Sequence, residues 1–407
     1  MRFPHGISDF HKISSERRFY VDRTDRIARI EDGGDQLLLL RPRRFGKSLW
    51  LSTLENYYDL AKADQFEQLF GHLKIGQAPT ARHNSYFIMK WNFSLVDPMG
   101  DAEAIRGALH RHINAEIQAT VTKYRERIPG DVKVQTDAIA SFQSLSAAVS
   151  RTPHRLYLLI DDYDRFSEVL VTQQKGDGLY QELVGGEGAI KILFKAIKGA
   201  AEGGGLDRVF ITGVSPVVLA DITSGYNVVT DISSAPRYAD LCGFHEAEIR
   251  IVLNQIIADC DLPPERADEA LDLMRTFYNG YDFSLEPEGG QIYNPTLALY
   301  FFKHLAEGCE YPDEMLDKNL AMDRNRIDYI ARQPHGEALV SAALDTAHPL
   351  SVDRLEQRFG VERMLHAPQT EGFLASLLYF FGVLTYSGRD ALGKRQLSIP
   401  NLVVRKL

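Results

Sequence analysis

Residues 37–50 read LLLLRPRRFGKSLW, a run of four leucines followed by a short arginine-rich segment that ends in Gly-Lys-Ser and a helix-like stretch. The leucines have the uninterrupted apolar character of a strand that is buried on both faces. Beyond the loop, Leu51, Leu54, Tyr57 and Tyr58 recur at the spacing of one helix face. The sequence therefore predicts a buried strand, a tight basic loop and a helix, in that order.

Three further apolar runs repeat the character of this first strand. They are SYFIMKWNF (85–93), RLYLLI (155–160) and DRVFIT (207–212), and they are separated by loops or by helical patterns such as those at 101–126 and 186–205. Near-continuous apolar strands that alternate with helices are typical of a mostly parallel sheet covered on both faces. We therefore predict an α/β fold with a mostly parallel sheet.

The composition limits the class of protein. The chain has 407 residues and a net charge of −9 at pH 7, which argues against coating of DNA or anionic membranes by bulk charge. Its N-terminus is too charged for a signal peptide, and no apolar run approaches the ~18 residues of a membrane span. Cys242, Cys260 and Cys309 are far apart and form no CxxC pair. We expect a cytoplasmic protein with no membrane partner, reduced thiols and no disulfide framework or zinc site.

The triplet Gly46-Lys47-Ser48 lies between the predicted strand and helix, the context in which such a loop binds phosphate. Backbone amides and the helix N-terminus offer donors to phosphate oxygens, Lys47 would reach the β- and γ-phosphates, and Ser48 would bind Mg²⁺. The predicted nucleotide-binding residues are Arg41, Pro42, Arg43, Arg44, Phe45, Gly46, Lys47, Ser48 and Leu49.

This loop departs from the usual pattern, which has glycine where Arg41 stands. Arg43 and Arg44 are candidates for additional phosphate or interdomain contacts, because guanidinium groups pair bidentately with oxyanions. In the alternative interpretation the segment is only a helix start, whose arginines pair with carboxylates such as Asp22 or Asp25.

Two carboxylates, Asp161 and Asp162, follow the third apolar run in LYLLIDDYD (156–164). A carboxylate at the tip of a buried strand is unfavourable unless it is paired or binds a cation. We predict that Asp161 binds a Mg²⁺ ion shared with Ser48, and that Asp162 orients or deprotonates an attacking water. The alternative is that both acids cap the following helix.

The fourth run continues as FITGVSPV (210–217). Thr212 and Ser215 are candidate catalytic sensors of the γ-phosphate or the attacking water, although ordinary turn chemistry would also explain Ser215. A hydrolase nucleophile elbow is excluded, because G-x-S-x-G requires glycine where Val217 stands.

Several segments together resemble a known family. RPRRFGKS, LIDDYD, FITGVSPV, LCGFHEAEI, FYNGYDF and YNP, in this order, and the opening GISDFHKI…YVDRT resemble the bacterial AAA-ATPase-like proteins, P-loop ATPases that often carry a C-terminal PD-(D/E)xK nuclease domain. The resemblance implies a P-loop NTPase fold, ATP and Mg²⁺ as cofactors, and a loop in which Arg41 is normal. The second acid is usually glutamate in that family, so Asp162 is a departure. Because a misplaced group can slow a reaction about 10²-fold, we predict normal binding with slow hydrolysis.

We predict four parts of the chain. Residues 1–35 pack near the nucleotide site, 36–238 form the ATPase core, 239–300 a helical lid, and 301–407 a C-terminal helical module like a winged helix. The family's nuclease is not expected here, since the acids of YPDEMLDK (311–318) are too close together for a nuclease site. The first hypothesis is therefore a Mg²⁺-dependent ATPase whose nucleotide state controls an attached or partner effector such as a nuclease.

Two other functions stay open. A nucleotide-binding module that does not hydrolyse ATP and serves regulation or assembly is favoured by Asp162 and by the proline-stiffened loop. Nucleic-acid binding through the C-terminal module would use Arg389, Lys394 and Arg395 in its turn. The sequence identifies neither an oligomeric state nor an arginine finger.

Overall fold

The computed structural model describes residues 1–167, 178–179, 182–183, 188–222, 226–285, 290–315, 324–345, 348–357, 359–360 and 370–406. Residues 186–187 of the helical pattern at 186–205, and residues 316–318 of YPDEMLDK, lie outside this set. Within it, no helix has the length and apolar character needed to cross a membrane.

A parallel sheet of five strands forms the centre of the molecule. Its strands are β1 (Gln36–Leu40), β2 (Tyr86–Asn92), β3 (Arg155–Asp161), β4 (Leu206–Gly213) and β5 (Thr230–Asp231), in the order β2-β3-β4-β1-β5. The predicted α/β fold and its first four strands are confirmed. The short β5 was not predicted, and it exists because it pairs with Leu37 and Leu38 of β1.

Helices cover both faces of this sheet, and the helical patterns at 48–60, 101–126 and 186–205 are confirmed as α3, α6 and α8 below. The helices of this part are α1 (Phe10–Ser15), α2 (Arg26–Asp32), α3 (Lys47–Tyr58), α4 (Phe66–Phe70), α5 (Lys74–Gln77), α6 (Ala102–Lys123), α7 (Ala138–Val149), α8 (Ala189–Glu202) and α9 (Val217–Ile222). Short 3-10 turns lie at Leu60–Gln65, Phe93–Leu95, Tyr163–Ser167 and Pro236–Tyr238. The four apolar residues that predicted α3 are all buried.

Three further helices lie in, or extend from, the segment 239–300 that was predicted as a lid, and we keep that name for them: α10 (Glu246–Asp259), α11 (Glu265–Tyr278) and α12 (Pro295–Gly308). Their apolar faces build a core separate from that of the sheet, and Phe3 from the N-terminal segment packs into it. The expectation of fully reduced thiols is wrong for this structure. Cys260 and Cys309, at the C-terminal ends of α10 and α12, form a disulfide with their Cα atoms 5.7 Å apart, while Cys242 is a free, buried thiol.

The last part of the described chain combines helices with short strands, and its predicted likeness to a winged helix stays a prediction. It contains α13 (Arg324–Ala331), α14 (Gly336–Ala343), β6 (Leu350–Val352), α15 (Glu371–Phe380), β7 (Thr385–Arg389), β8 (Arg395–Ser398) and α16 (Leu402–Arg405). The three strands form an antiparallel sheet in the order β6-β8-β7. We call residues 324–406 the C-terminal module.

The C-terminal module is packed tightly against the rest of the molecule. Most of its buried apolar residues belong to the same core as the central sheet, while Val403 packs into the core of the lid, and the whole stretch from Phe373 to Tyr379 of α15 is buried. The side-chain amide of Asn401 donates to the backbone carbonyl of Asn279 at 2.8 Å, which ties the module to the end of α11. These contacts place the module beside the carboxyl edge of the parallel strands, where ligands bind in open α/β sheets.

Candidate nucleotide-binding site

The loop between β1 and α3 has the backbone of a phosphate-binding loop. Gly46 has a φ of +90°, a left-handed conformation that favours glycine, and α3 begins at the next residue, Lys47. The ammonium of Lys47 is buried and donates to the backbone carbonyls of Arg41 at 3.0 Å and Pro42 at 3.1 Å. Because the first amides of a helix have no partner within it, the start of α3 offers donors to an anion.

Arg41 does not serve this loop in the way that the sequence suggested. Its guanidinium is fully buried and donates to the backbone carbonyls of Leu40, Ser233, Tyr238 and Ala239, and it lies over the ring of Phe283. The side chain therefore fastens β1 to the segment that follows β5. A glycine at this place would leave those carbonyls without their donor, which gives a physical reason for arginine here.

The lid contacts the same loop from the other side. Phe45 is buried and makes edge-on ring contacts with Tyr281 at 4.7 Å and Phe283 at 5.1 Å between ring centroids. At the start of α12, the hydroxyl of Thr296 donates to the backbone carbonyl of Arg44 at 2.7 Å. The position of the lid is thus fixed by contacts with the loop itself.

The tips of β3 and β4 bring the predicted acids and hydroxyls together. The hydroxyl of Thr212 donates to the carboxylate of Asp161 at 2.6 Å, and both side chains are buried. In the sheet, β4 lies between β1, which leads into the loop, and β3, which ends at the two acids. Thr212, near the end of β4, therefore lies between the loop and the acids. Ser215 is directed elsewhere, because its hydroxyl donates to Asp164 at 3.0 Å.

Asp164 is a buried residue that sequence reasoning missed. Its carboxylate accepts from the amide of Val214 at 3.1 Å and from the amide of Ser215 at 2.8 Å, as well as from the Ser215 hydroxyl. It therefore holds the turn after β4 in shape. The sequence signal that could have identified Asp164 is its place as the third acid of DDYD (161–164). We call Asp161, Asp162 and Asp164 the strand-tip acids.

Asp162 differs from both of its neighbours. Its backbone has a φ of +52°, and no hydrogen bond reaches its carboxylate from the described residues. Burial and the charges of Asp161 and Asp164 raise its pKa to about 6, against the opposing effect of Lys47 and Arg326. Strained backbone and a shifted pKa at a strand tip are features that cluster at functional sites.

A cavity of about 440 Å³ opens beside the loop. It is bounded by the loop and α3 (44–50 and 53), by the N-terminal segment (4–8, 19–21 and 23), by the residues before α10 (241–244) and by the start of α12 (295–296 and 299). Of the predicted nucleotide-binding residues, Arg44 to Leu49 line this cavity. Arg41, Pro42 and Arg43, and the residues predicted on the strand tips, lie outside its wall.

The N-terminal side of the cavity is fastened to the lid by two arginines. Arg23 donates to both carboxylate oxygens of Glu248, in one case at 2.7 Å, and Arg26 donates to Asp240 at 2.6 Å. Burial would raise the pKa of Asp240, but hydrogen bonds from His245 and Arg26 and the charges of both arginines outweigh it and lower the pKa far below its usual range. We call Arg23, Arg26, Asp240 and Glu248 the lid clasp.

The donor set on the strand tips suits a hard cation such as Mg²⁺. Asp161 and the hydroxyl of Ser48 offer oxygen ligands, and the adjacent Asp162 carboxylate accepts no hydrogen bond within the described chain. Among the residues that the structure describes, no group of three or more histidine, cysteine, aspartate or glutamate side chains is arranged to hold a metal ion.

Comparison with protein-family models identifies the architecture. The model described as Predicted AAA-ATPase matches residues 4–223, more than half of the chain and all of the loop and strand tips described above. The chain belongs to the AAA-ATPase-like family. Membership supports nucleotide binding at this loop.

Two individual proteins extend this comparison. An uncharacterised protein from the vnfD 5′ region of Azotobacter chroococcum mcd 1 is 27% identical over 311 residues, which cover 74% of this chain and 52% of that protein. The chain therefore spans about half the length of the curated relative that it matches. A Walker-type ATPase of Pyrococcus abyssi has the same fold, with a TM-score of 0.50 and 16% identity over 95% of both chains.

Proposed function

We propose that this protein binds ATP together with Mg²⁺ and hydrolyses it slowly, and that its nucleotide state controls an effector. The observation that carries the proposal is the position of Lys47. It belongs to a loop that lines the large cavity, and its charge acts on the Asp162 carboxylate at the tip of β3. The proposal is supported because the two segments predicted from distant parts of the sequence lie close enough for the charge of Lys47 to oppose the rise in the pKa of Asp162.

The proposed roles follow from the contacts of each group. The amides at the start of α3 bind phosphate oxygens, and Lys47 exchanges the carbonyls of Arg41 and Pro42 for phosphate. Ser48 and Asp161 hold Mg²⁺, which when bound would neutralise phosphate charge. Thr212 fixes the orientation of Asp161 through their hydrogen bond. Ser215 keeps the turn after β4 in place together with Asp164.

Asp162 is the proposed general base. Proton transfer is most effective when the pKa of the base lies near the working pH, and a pKa of about 6 meets this condition better than that of an ordinary aspartate. The shorter reach of aspartate compared with glutamate is the reason for the slow rate that we expect.

Phosphate release tests the proposal directly. We expect Lys47→Ala to weaken ATP binding by about 10- to 150-fold, because it removes a charge-assisted hydrogen bond worth roughly 1.5–3 kcal/mol, and to abolish turnover. Lys303→Ala, at an exposed position of α12, is the matched control and should change neither quantity. Equal rates in the wild type and in Lys47→Ala would refute the enzyme assignment.

Substitution of Asp162 by glutamate tests its role as the base. We expect faster phosphate release from Asp162→Glu with unchanged ATP affinity, because the longer side chain extends the carboxylate toward the reacting water. The left-handed backbone at this position suits aspartate better than glutamate, so the stability of the variant must be measured in parallel. A folded variant with an unchanged or lower rate contradicts this role.

Tight ATP binding without repeated turnover would favour the second candidate, a nucleotide-binding module for regulation or assembly. The uncompensated Asp162 and the loop stiffened by Pro42 are the observations behind it. Calorimetric titration with ATP and Mg²⁺, combined with multiple-turnover phosphate release, separates the two candidates.

The structure gives little support for DNA binding by the C-terminal module. A recognition helix needs an exposed face to enter a DNA groove, whereas α15 is buried from Phe373 to Tyr379. In the hairpin after it, Lys394 pairs with Asp353 at 2.9 Å and Arg389 donates to the carbonyl of Gly393 at 2.9 Å. We therefore do not propose DNA as a ligand of this hairpin.

A further inference from the structure

The disulfide between Cys260 and Cys309 joins two helices of the lid at their C-terminal ends. Cys260 is the residue that follows α10, and Cys309 is the residue that follows α12. The opposite ends of the same helices border the large cavity, because residues 241–244 lie shortly before α10 and the first residues of α12 also line it. One covalent bond therefore fixes the far ends of two helices whose near ends form part of the wall of the proposed ATP site.

The near ends of these helices also contact the phosphate loop and the N-terminal segment. The hydroxyl of Thr296, in the first turn of α12, donates to the backbone carbonyl of Arg44 at 2.7 Å. On α10, Glu248 accepts a hydrogen bond from Arg23, which itself lines the cavity. Rigid helices can carry energetic coupling between distant places. A change in how α10 and α12 are held together therefore affects the contacts that shape the cavity.

The lid depends on this bond more than a large domain would. Its three helices build a core of their own, separate from that of the central sheet, and small cores are the ones that need crosslinks for stability. The two cysteines are 49 positions apart in sequence. A crosslink over such a length opposes opening of the segment, because it removes conformations from the open state.

The bond lies where a reductant can reach it. Both cysteines are partly exposed, and each has an exposed neighbour, Asp259 beside Cys260 and Gly308 beside Cys309. Thiol–disulfide exchange requires this access, because a thiolate must approach one of the two sulfur atoms. The third cysteine, Cys242, is a buried thiol in the same structure.

The surroundings also accommodate the reduced pair. The Sγ atom of Cys260 lies 3.7 Å from the backbone carbonyl oxygen of Leu305, so the thiol formed on reduction has an acceptor for its weak hydrogen bond. Cys309 has a φ of +54°, a left-handed conformation that glycine usually adopts at the end of a helix. Opening of the bond releases Cys309 to adopt a more common backbone conformation. Reduction therefore leaves the Cys260 thiol with an acceptor and removes a constraint at the end of α12.

We propose that Cys260 and Cys309 form a thiol–disulfide switch that regulates the affinity of this chain for ATP. The inference rests on the proposed function. With the bond closed, α10 and α12 are held together and the wall of the cavity is kept in place. With the bond open, the far ends of the two helices separate more readily, the wall is less well ordered, and ATP binds more weakly.

The co-reactant is a dithiol. One of its thiolates attacks a sulfur atom of the disulfide, which gives a mixed disulfide and releases one cysteine thiolate. The second thiol of the reductant then displaces the other cysteine. Two electrons and two protons pass to the protein in total, and the dithiol is itself oxidised to a disulfide.

Titrations of the wild-type protein test the inference. With ATP and Mg²⁺, we expect dithiothreitol to lower the ATP affinity measured by calorimetry at least about fivefold, the lower end of typical coupling between two sites. Coupling is reciprocal. Saturating ATP should therefore raise, by the same factor, the ratio of reduced to oxidised dithiothreitol at which half of the disulfide is open, as measured by alkylation and mass spectrometry.

The double variant Cys260→Ser/Cys309→Ser is the matched control. It should bind ATP with the affinity of the reduced wild type and should not respond to dithiothreitol. Cys242 is present in both proteins, so a response that persists in the double variant would arise elsewhere and would overturn the inference.

Hydrogen exchange on the wild type provides a measurement that does not depend on folding of the variant. We expect amides of residues 254–260 and 302–309 to exchange at least about tenfold faster after reduction, because local opening of the lid costs less free energy without the crosslink. Equal exchange, or equal ATP affinity of the oxidised and reduced protein, would overturn the inference while leaving ATP binding intact. Absence of ATP binding to both forms would instead refute the proposed function.

Discussion

The strand-tip acids and the lid clasp are two clusters of carboxylates, and their surroundings give them opposite properties. In the lid clasp, Asp240 and Glu248 each receive hydrogen bonds from a guanidinium, and the pKa of Asp240 is lowered. Among the strand-tip acids, Asp162 receives no hydrogen bond from the described residues, and its pKa is raised to about 6.

This difference separates a structural use of charge from a functional one. A carboxylate that accepts charge-assisted hydrogen bonds from arginine has its charge compensated within the folded chain and does not need a ligand for that purpose. A partly buried carboxylate beside two other acids destabilises the folded chain in its ionised form, and a cation or a proton relieves that cost. This comparison is our reason for proposing the cation site at the strand tips and not at the lid clasp.

The largest expected effect is the change in the free energy of unfolding when Asp162 is substituted in protein without metal. The difference between a pKa of about 6 and the ordinary 3.8 corresponds to about 3 kcal/mol at 1.36 kcal/mol per unit. Because the raised pKa destabilises the ionised form, Asp162→Asn should increase the free energy of unfolding by about this amount at pH 8. The gain should shrink as the pH falls from 6 and disappear below about 4.

Denaturant unfolding in the presence of a chelator measures this effect across the pH range. Asparagine tolerates the left-handed backbone at this position, so the substitution introduces no additional strain. Asp164→Asn is the matched control with the opposite sign, because its carboxylate accepts hydrogen bonds from Val214 and Ser215 that an amide group cannot all replace. If Asp162→Asn lowered the free energy of unfolding, the difference that we infer between the strand-tip acids and the lid clasp would be wrong.

The next largest effect is the increase in the free energy of unfolding when ATP and Mg²⁺ bind. Saturation with ATP and Mg²⁺ at about 100 times the dissociation constant should raise the free energy of unfolding by about 2.7 kcal/mol. At the same ligand concentrations, Asp240→Asn should keep this increase and Asp161→Asn should lose most of it, since only the second change removes a proposed metal ligand. Thermal unfolding with and without ligand tests this, and equal responses of the two variants would contradict the assignment.

The smallest effect is expected from the lid clasp itself. Asp240→Asn should lower the free energy of unfolding by about 1–2 kcal/mol at pH 7, a value reduced by solvent screening because the side chain is only partly buried. A lowered pKa means that this stability is complete above the ordinary aspartate pKa near 3.9 and declines as the pH falls below it. Urea unfolding at pH 7 and pH 3 should show a smaller difference between variant and wild type at the lower pH.

The central strands were predictable because burial on both faces leaves a strong local signal. QLLLL and RLYLLI are apolar at nearly every position, and they form β1 and β3. The two residues of β5 carry no such signal, because they are part of the sheet only through pairing with β1. The sequence also predicted that the loop and the acids take part in one site, since each follows an apolar strand.

Side-chain directions were less predictable than positions. Arg41 belongs to the phosphate loop in sequence, yet its partners are carbonyls of residues 233, 238 and 239, which no local pattern connects with it. Ser215 donates to Asp164, and no local sequence pattern indicates that partner either. Cys260 and Cys309 are 49 positions apart in sequence, and only the packing of α10 against α12 brings them together.

The order of strands in the sheet has a consequence for biosynthesis. The strand β1 leaves the ribosome early, but its two neighbours are β4 and β5, which are made much later, whereas β2 and β3 pair with each other in between. The nascent chain must therefore keep a leucine-rich segment without a hydrogen-bonding partner during the translation of everything up to β4. Such a segment favours aggregation, and synthesis of this protein is expected to depend on chaperones that cover it until β4 arrives.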